Sequence, residues 1–180
     1  GEIVLEIGFG TGYGLLSLAR AVGDSGRVYG VDLSEGMCRT ALAKVREAGL
    51  SQRVRLKCGD ATALPYGDDS FAAVFMGFTL ELFAAPEVPI VLRECQRVLR
   101  QEGRVGVVAL SRTEKVGLMA RLYEWAHRTF PKVVDCRPIA AQRVLEEAGF
   151  QVLEARAMSL WGLPVDVVLA ESVTNHPVSC

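Results

Sequence analysis

Long apolar runs and an excess of one charge are both missing from this 180-residue sequence. No apolar segment reaches the ~18 uninterrupted residues that a membrane-spanning helix needs. No secretory signal is present either, and because the sequence enters a predicted strand at once, we expect it to begin late in its domain. The 20 Lys and Arg residues nearly balance the 21 Asp and Glu residues, which argues against nucleic acid as a partner.

The one basic run of the sequence is interrupted by acids, which predicts a solvated helix face and not a polyanion site. Its members are Arg93, Arg97, Arg100 and Arg104, with Glu94 and Glu102 between them.

Metal-binding patterns are also missing. The five cysteines form no C-x-x-C pair, and only two histidines are available to join a metal cluster. Cys38, Cys58 and Cys95 fall within predicted helices or a strand end, so we expect reduced thiols in a cytoplasmic protein and no metal site.

The sequence lacks the G-x-G-x-x-G pattern that places a dinucleotide pyrophosphate on a helix N-terminus. Starting the pattern at each glycine pair of the first turn would require a third glycine where Tyr13, Leu15 or Ser17 stands. This spacing argues against a nicotinamide-dependent oxidoreductase, which remains an alternative.

The pattern that is present is an acid followed by alternating glycines, Glu6-x-Gly8-x-Gly10-x-Gly12. The apolar run Ile3–Ile7 ends in this pattern and a helical pattern comes after it, which predicts a strand, a tight turn and a helix. A carboxylate here would attract a cationic ligand and repel a pyrophosphate. The alternative is an ordinary glycine turn in which Glu6 faces water.

Two further acids end predicted strands. Asp32 ends the second strand about twenty residues after the glycine turn, where an acid can accept the ribose hydroxyls of a nucleoside. Alternatively, Asp32 is the N-cap of the next helix, although Ser34 would serve equally well. Asp60 follows the third strand in the same way. Ligands of open parallel sheets bind beyond the carboxyl ends of the strands, so these acids predict one nucleoside site.

The remaining pattern predicts an α/β protein with a mostly parallel sheet covered by helices on both faces. Strands are expected at 71–76 and 103–110 around a helix at 88–100, and a helix at 140–148 is followed by strands at 150–157 and 165–170. The last two strands are joined so briefly that they should pair antiparallel. We expect a single domain over residues 1–171 and a flexible tail over 172–180.

Together, these motifs resemble the class I S-adenosylmethionine-dependent methyltransferases. Val31–Met37, Gly59–Pro65 and Arg97–Gly103 are most similar to the ubiquinone/menaquinone C-methyltransferase branch. The sequence departs from that branch at Gln101-Glu102, where proline and glycine are usual, and at Gly77–Phe83, where the quinone enzymes carry an Arg-Asn pair.

The resemblance implies a Rossmann-like fold of seven strands, the last antiparallel, and S-adenosyl-L-methionine as the cofactor. It assigns Asp60 and Ala61 to the adenine ring, and Leu33 and Met37 to apolar contacts with the adenosine. For Met37, ordinary packing in the helix core is an equal alternative. With the motif acids and glycines, the predicted cofactor-binding set is Glu6, Gly8, Gly10, Gly12, Asp32, Leu33, Met37, Asp60, Ala61 and Thr79.

The acceptor is expected to be a small, apolar or lipid-like molecule. Thr79 and Glu81 follow the fourth strand and are expected nearest the reacting sulfonium, with Glu81 as a candidate base or a helix N-terminal acid. His127 is a second candidate base or an incidental residue. The segment 111–137 begins with a capping box and carries a wide apolar stripe. That stripe could line the acceptor pocket, touch a membrane surface or pack on the sheet. A non-catalytic cofactor-binding protein remains an alternative function.

Overall fold

A computed structural model describes residues 1–111, 138–160 and 163–173 of the chain. Seven strands are present: β1 Ile3–Ile7, β2 Arg27–Asp32, β3 Val54–Cys58, β4 Phe71–Gly77, β5 Leu99–Leu110, β6 Phe150–Leu160 and β7 Leu163–Ser172. The helices are α1 Tyr13–Ala21, α2 Glu35–Glu47, α3 Val88–Val98 and α4 Ala141–Glu147, with a short 3-10 helix at Leu80–Leu82.

The strands form one sheet in the order β3-β2-β1-β4-β5-β7-β6. The first five strands in this order pair parallel, whereas β7 lies antiparallel between β5 and β6. The predicted fold, a mostly parallel seven-stranded sheet with an antiparallel last strand, is therefore confirmed. The carboxyl ends of β1 to β5 meet at one edge.

Alternation along the strands divides the core into two apolar layers. Val4 packs with the buried residues of α1 and α2 on one face of the sheet, whereas Leu5 and Ile7 pack with those of α3 and α4 on the other. Successive side chains of a strand point to opposite faces, so a short apolar run such as β1 can serve both layers. The helices thus cover both faces, as predicted.

Several predicted boundaries differ from the structure. The helix expected to reach Arg100 ends at Val98, because Leu99 adopts an extended conformation and pairs with Phe71 at the start of β5. Strand β7 includes Ser172, which the sequence assigned to the tail. Ser111 forms a parallel bridge with Ile139. Residues 112–137, with the candidate base His127, and residues 174–180 lie outside the described part of the chain.

The basic run does not form a solvated helix face. Arg100 and Arg104 lie in β5, where both pair with Glu2. Arg97 lies in the last turn of α3 and its guanidinium binds Glu94, Asp68 and the Tyr66 carbonyl oxygen, the last at 2.8 Å. The prediction was wrong because Leu99 breaks the helical spacing on which it depended.

The Arg97 network fixes the segment that follows β3. Arg97 also donates to the Leu64 carbonyl oxygen at 3.1 Å, and the Leu64 N–H donates to Glu94 at 2.7 Å. The hydrogen bond from Arg97 keeps the pKa of Glu94 below its usual value. Both backbone polar groups of Leu64 are thus held by one ion pair on α3.

Two negative observations concern the described residues. None of their helices combines the length and apolarity that crossing a bilayer requires. No three of their His, Cys, Asp and Glu side chains are grouped as a metal site would need.

Replacing Arg97 by Ala is expected to lower the free energy of unfolding by about 2 kcal/mol or more, because charge-assisted hydrogen bonds are lost and Glu94 is left unpaired. Urea unfolding at pH 7 measures the change. Arg100→Ala is the matched control, since its exposed pair with Glu2 at 3.7 Å should contribute less than about 1 kcal/mol. Equal losses in the two variants would contradict the role assigned to Arg97.

Candidate cofactor site

A cavity of about 560 Å³ lies at the edge of the sheet where the carboxyl ends of β1, β2, β3 and β4 meet. This volume lies within the range of small-molecule sites. Most of the predicted cofactor residues line it: Gly8, Gly10, Asp32, Leu33, Met37, Asp60, Ala61 and Thr79. Glu6 and Gly12 are not among the lining residues.

Asp32 connects the loops that form the floor of this cavity. Its Oδ2 accepts a hydrogen bond from the Gly10 N–H at 2.8 Å, and its Oδ1 accepts from the Ser34 N–H at 2.9 Å. Ser34 is the N-cap of α2 and accepts from the Met37 N–H, so the N-cap alternative for Asp32 is wrong. Each carboxylate oxygen has a second lone pair, which leaves Asp32 able to accept ribose hydroxyls.

Glu6 is buried behind the glycine turn. Only 4% of its surface is exposed, and its Oε2 has no hydrogen-bond partner among the described residues. Burial, and secondarily the nearby charge of Asp32, together raise the pKa of Glu6 to about 8. Without a ligand, Glu6 is therefore mainly neutral at pH 7. The alternative in which Glu6 faces water is wrong.

Gly14 provides the space that Glu6 occupies. A Cβ at Gly14 would overlap the Glu6 carboxyl group. The first turn of α1 can therefore lie against Glu6 only because position 14 is a glycine. No function was predicted for Gly14 from the sequence. The signal for its role is a glycine within a predicted helix, because glycine there normally lowers helix stability by ~1 kcal/mol relative to alanine.

The third acid lies where predicted. Asp60 follows β3, is exposed to the cavity, and accepts a hydrogen bond from the Thr62 N–H at 2.8 Å. Hydrogen bonds from Thr62 hold the pKa of Asp60 below its ordinary value, so this carboxylate is charged and able to accept from an amino group. Ala61 forms the adjoining, buried part of the wall.

Exposed apolar side chains surround the mouth of the cavity. Leu33 is 77% exposed, Met37 40%, Leu82 58% and Phe78 37%, and all four line the cavity. We call these four residues the apolar rim. Packing of Met37 in a helix core, the alternative for that residue, is wrong.

The turn after β1 and the loop after β4 contact each other directly. The Thr79 hydroxyl lies within hydrogen-bond distance of the Gly8 carbonyl oxygen (3.2 Å) and the Gly77 carbonyl oxygen (3.1 Å). Gly8 has φ +69° and a Cβ there would overlap Thr79, so only glycine fits this contact. Thr79 therefore positions the turn as well as lining the cavity.

Glu81 does not line this cavity. The 3-10 helix has three residues per turn, which places Leu82 on the side of Thr79 and directs Glu81 toward β5. Glu81 lies instead on a second cavity of about 290 Å³, whose wall it shares with apolar residues such as Leu92 and Ile139. Phe83 lines both cavities.

The Glu81 carboxyl group also supports the end of β5. Its Oε1 accepts a hydrogen bond from the Leu110 N–H at 3.2 Å, while its Oε2 is buried with no partner in the described part of the chain. Burial raises the pKa of Glu81. This geometry does not bring Glu81 to the cavity that holds the other candidate residues.

Phe78 and Glu87 are lining residues that the sequence analysis missed. Phe78 has φ +54°, a backbone conformation that is rare for a bulky residue and costs about 1–3 kcal/mol. Its N–H donates to the Val108 carbonyl oxygen at 2.7 Å. Glu87 accepts from the Ala84 N–H at 2.9 Å. No local pattern in the sequence indicates a positive φ at a phenylalanine.

The cavity lies beyond the carboxyl ends of parallel strands, where open sheets of this kind bind their ligands, and a buried carboxyl group lies behind its glycine turn. Residues 4–103, more than half of the chain, match the family described as Methyltransferase domain. The chain belongs to this family, as the sequence analysis predicted.

The relatives point to the predicted branch. A demethylmenaquinone methyltransferase of Lactobacillus johnsonii is 40% identical over 111 residues, which cover 62% of this chain and 45% of the relative. A demethylmenaquinone methyltransferase of Bacillus subtilis is 37% identical over 117 residues, which cover 65% and 49%. The chain spans about half the length of the curated relatives it matches.

A solved structure supports the fold. The crystal structure of a SAM-dependent methyltransferase from Aquifex aeolicus aligns with a TM-score of 0.74 at 25% identity, over 96% of this chain and 82% of that one. The predicted class I methyltransferase fold is confirmed.

Because folding raises the pKa of Glu6 from 4.5 to about 8, the native state binds more protons than the unfolded chain between these values. We expect Glu6 to contribute stability that is fully present below about pH 4.5 and is lost as the pH rises toward 8, by up to ~1.4 kcal/mol per pH unit. Urea unfolding of the protein and of Glu6→Gln from pH 5 to 8.5 measures this.

Glu81 changes stability in the same direction, because burial raises its pKa too. The relevant quantity is therefore the difference between the two pH profiles, in which the contribution of Glu81 cancels. Parallel profiles for the protein and Glu6→Gln would show that Glu6 is already ionised in the native state.

Proposed function

We propose that this chain is an S-adenosylmethionine-dependent methyltransferase that acts on a small, quinone-like apolar acceptor. The observation that carries the proposal is Glu6, a buried carboxyl group with an unpartnered oxygen beside the cavity. A buried polar atom without a partner is costly, so a ligand that supplies a donor or a positive charge is favoured there. S-adenosylmethionine carries both an ammonium and a sulfonium.

The same residue argues against a nicotinamide dinucleotide. Helix α1 would have to present its N-terminal N–H groups to a pyrophosphate, but its first turn packs against the Glu6 carboxyl group at Gly14. Binding a dianion there would displace an acid or oppose its ionisation. The glycine spacing and the structure therefore favour the same cofactor.

Three acids among the described residues would each bind a different part of the cofactor. Asp32 would accept the ribose hydroxyls, Asp60 would accept from the adenine amino group, and Glu6 would lie nearest the amino-acid part of the cofactor. Gly8 and Gly10 allow the turn to approach the ligand closely. Leu33, Met37 and Ala61 would contact the adenosine with apolar surface. The cofactor contact predicted for Gly12 stays a prediction, since Gly12 is the N-cap of α1 and does not line the cavity.

When bound, S-adenosylmethionine supplies a methyl group that is transferred from a positively charged sulfur. The chain's contribution is then to hold the acceptor in line with that sulfur and to exclude water. The apolar rim suits both tasks. Glu81 and His127 stay predictions as general bases, and the position of Glu81 on the second cavity gives its role no support.

A non-catalytic cofactor-binding protein is the second candidate. It is favoured by the composition of the cavity wall, where the acids of the described residues are Asp32, Asp60 and Glu87 and the first two are assigned to the cofactor. The [4+2]-cyclase SpnF also has this fold, with a TM-score of 0.76 at 23% identity. A fold of this kind does not by itself establish methyl transfer.

We also place the protein in the cytoplasm. Cys38, Cys58 and Cys95 are free thiols, which persist most readily in a reducing compartment. The Cys38 and Cys58 thiols lie against the carbonyl oxygens of Asp32 and Leu33, so they also support the proposed ribose loop.

The cofactor assignment predicts that S-adenosylhomocysteine binds and NADH does not, as measured by calorimetry at pH 7. Replacing Asp32 by Ala should weaken S-adenosylhomocysteine binding by about 10- to 100-fold, because buried hydrogen bonds to the ribose are lost. Glu35→Gln is the matched control. It removes an exposed carboxylate close by, at the start of α2, that does not line the cavity.

Binding of NADH alone would overturn the cofactor assignment. Unchanged S-adenosylhomocysteine affinity in Asp32→Ala would remove Asp32 from the site while leaving the cofactor in place.

The activity is tested by incubating the protein with methyl-labelled S-adenosylmethionine and reduced demethylmenaquinone, followed by extraction and counting of labelled quinone. We expect transfer by the protein and a loss of at least tenfold in Asp32→Ala at low cofactor concentration, since one decade corresponds to ~1.4 kcal/mol of binding. Cofactor binding without transfer to this acceptor would favour the non-catalytic candidate.

A further inference from the structure

Phe78 is the one bulky apolar residue with a positive φ among residues 1–111, 138–160 and 163–173. The other two non-glycine residues with positive φ are Asp69 and Glu102, both exposed and neither on the cavity. Aspartate is among the residue types enriched in this conformation, whereas a bulky residue there is an outlier. Phe78 is also the residue immediately after β4, a central strand of the sheet.

Surrounding hydrogen bonds hold this conformation. The Phe78 N–H is bound to Val108 of β5, and the next residue, Thr79, is bound to the carbonyl oxygens of Gly8 and Gly77. The loop is thereby fixed between the ends of β1, β4 and β5. Strained residues that are held in this way concentrate at functional sites.

Core packing does not explain the strain. With 37% of its surface exposed, the Phe78 side chain is not part of either buried layer. It lines the cavity together with Leu33, Met37 and Leu82, the other members of the apolar rim. The cost of the backbone conformation is therefore associated with the placement of an exposed aromatic ring.

We propose that Phe78 is an acceptor-positioning residue, whose ring forms the apolar platform on which a planar ring of the acceptor lies at the mouth of the cofactor cavity. This inference rests on the proposed function, which it deepens by naming the contact that selects a flat aromatic acceptor. Phe78 adjoins Thr79, the residue that contacts the glycine turn, so a ring on this platform lies next to the proposed cofactor.

Stacking explains why the platform is aromatic. Offset or edge-to-face aromatic pairs gain stability beyond that of the apolar area they bury. An aliphatic rim alone would bind an open chain and a flat ring with little distinction. The geometry thus favours an acceptor whose reacting atom belongs to an aromatic or quinonoid ring.

The test uses three variants at this position. Phe78→Asn and Phe78→Gly remove the ring and accept a positive φ readily, whereas Phe78→Tyr keeps the ring. Two properties are measured for each: binding of 1,4-naphthoquinone to the protein saturated with S-adenosylhomocysteine, and the kinetics of methyl transfer to reduced demethylmenaquinone. Affinity for S-adenosylhomocysteine and thermal unfolding report on integrity.

We expect the two variants without a ring to weaken naphthoquinone binding and to raise the acceptor KM by roughly tenfold or more, with a smaller change in kcat. In Phe78→Tyr, naphthoquinone affinity and the acceptor KM should stay within about threefold of the values for the unaltered protein, since tyrosine retains the aromatic face. S-adenosylhomocysteine affinity should stay unchanged in all three. Phe78→Gly should unfold at the same temperature or higher, because the strain is relieved.

Several outcomes would overturn the proposal. One is that the acceptor KM and the naphthoquinone affinity stay unchanged when the ring is removed. Another is a loss of folding or of cofactor binding in both ringless variants, which would make Phe78 structural. A third is no naphthoquinone binding to the unaltered protein. Naphthoquinone binding that depends on Phe78 without methyl transfer would instead support the platform and contradict the proposed activity.

Discussion

The two hydrogen bonds that Asp32 accepts from Gly10 and Ser34 join the ends of β1 and β2 to the start of α2. Strand pairing fixes the separation of β1 and β2. The Asp32 carboxylate therefore holds the loops after these two strands in fixed positions at the floor of the cavity. The Gly8 N–H bond to the Val31 carbonyl oxygen adds a third connection. The glycine turn and the start of α2 depend on this attachment, and the contact of Thr79 with Gly8 joins the loop after β4 to the same turn.

Glu6 lowers the stability of the protein in the absence of a ligand. An acid buried against α1 must either give up its charge or remain charged without a partner, and both reduce stability relative to an apolar residue. The Gly14 position compounds the cost, since glycine replaces a better helix former there. Phe78 adds backbone strain at the wall of the cavity. These three departures from local rules lie on or beside one cavity, as expected where function and stability compete.

The sheet and the acids at its edge could be predicted because they depend on local patterns: apolar runs give strands, Asp32 ends one of them and Asp60 lies two residues after another. What could not be predicted depends on geometry between distant elements. Glu81 is two residues from Thr79, yet a 3-10 turn places the two side chains on different cavities. Likewise, the role of Gly14 depends on its contact with Glu6, and the role of Arg97 depends on its hydrogen bond to Leu64. Neither contact is visible from the local sequence.

The last strand of the sheet is inserted between β5 and β6 and is not added at the edge. Until residues 163–172 have left the ribosome, β5 has a free edge beside a central part of the sheet. The chain therefore cannot close the sheet progressively as it is made. Pairing of β7 with β5 joins distant parts of the chain, and long-range pairing of this kind slows folding. Such a nascent chain presents an unpaired, apolar strand edge that a chaperone would have reason to cover.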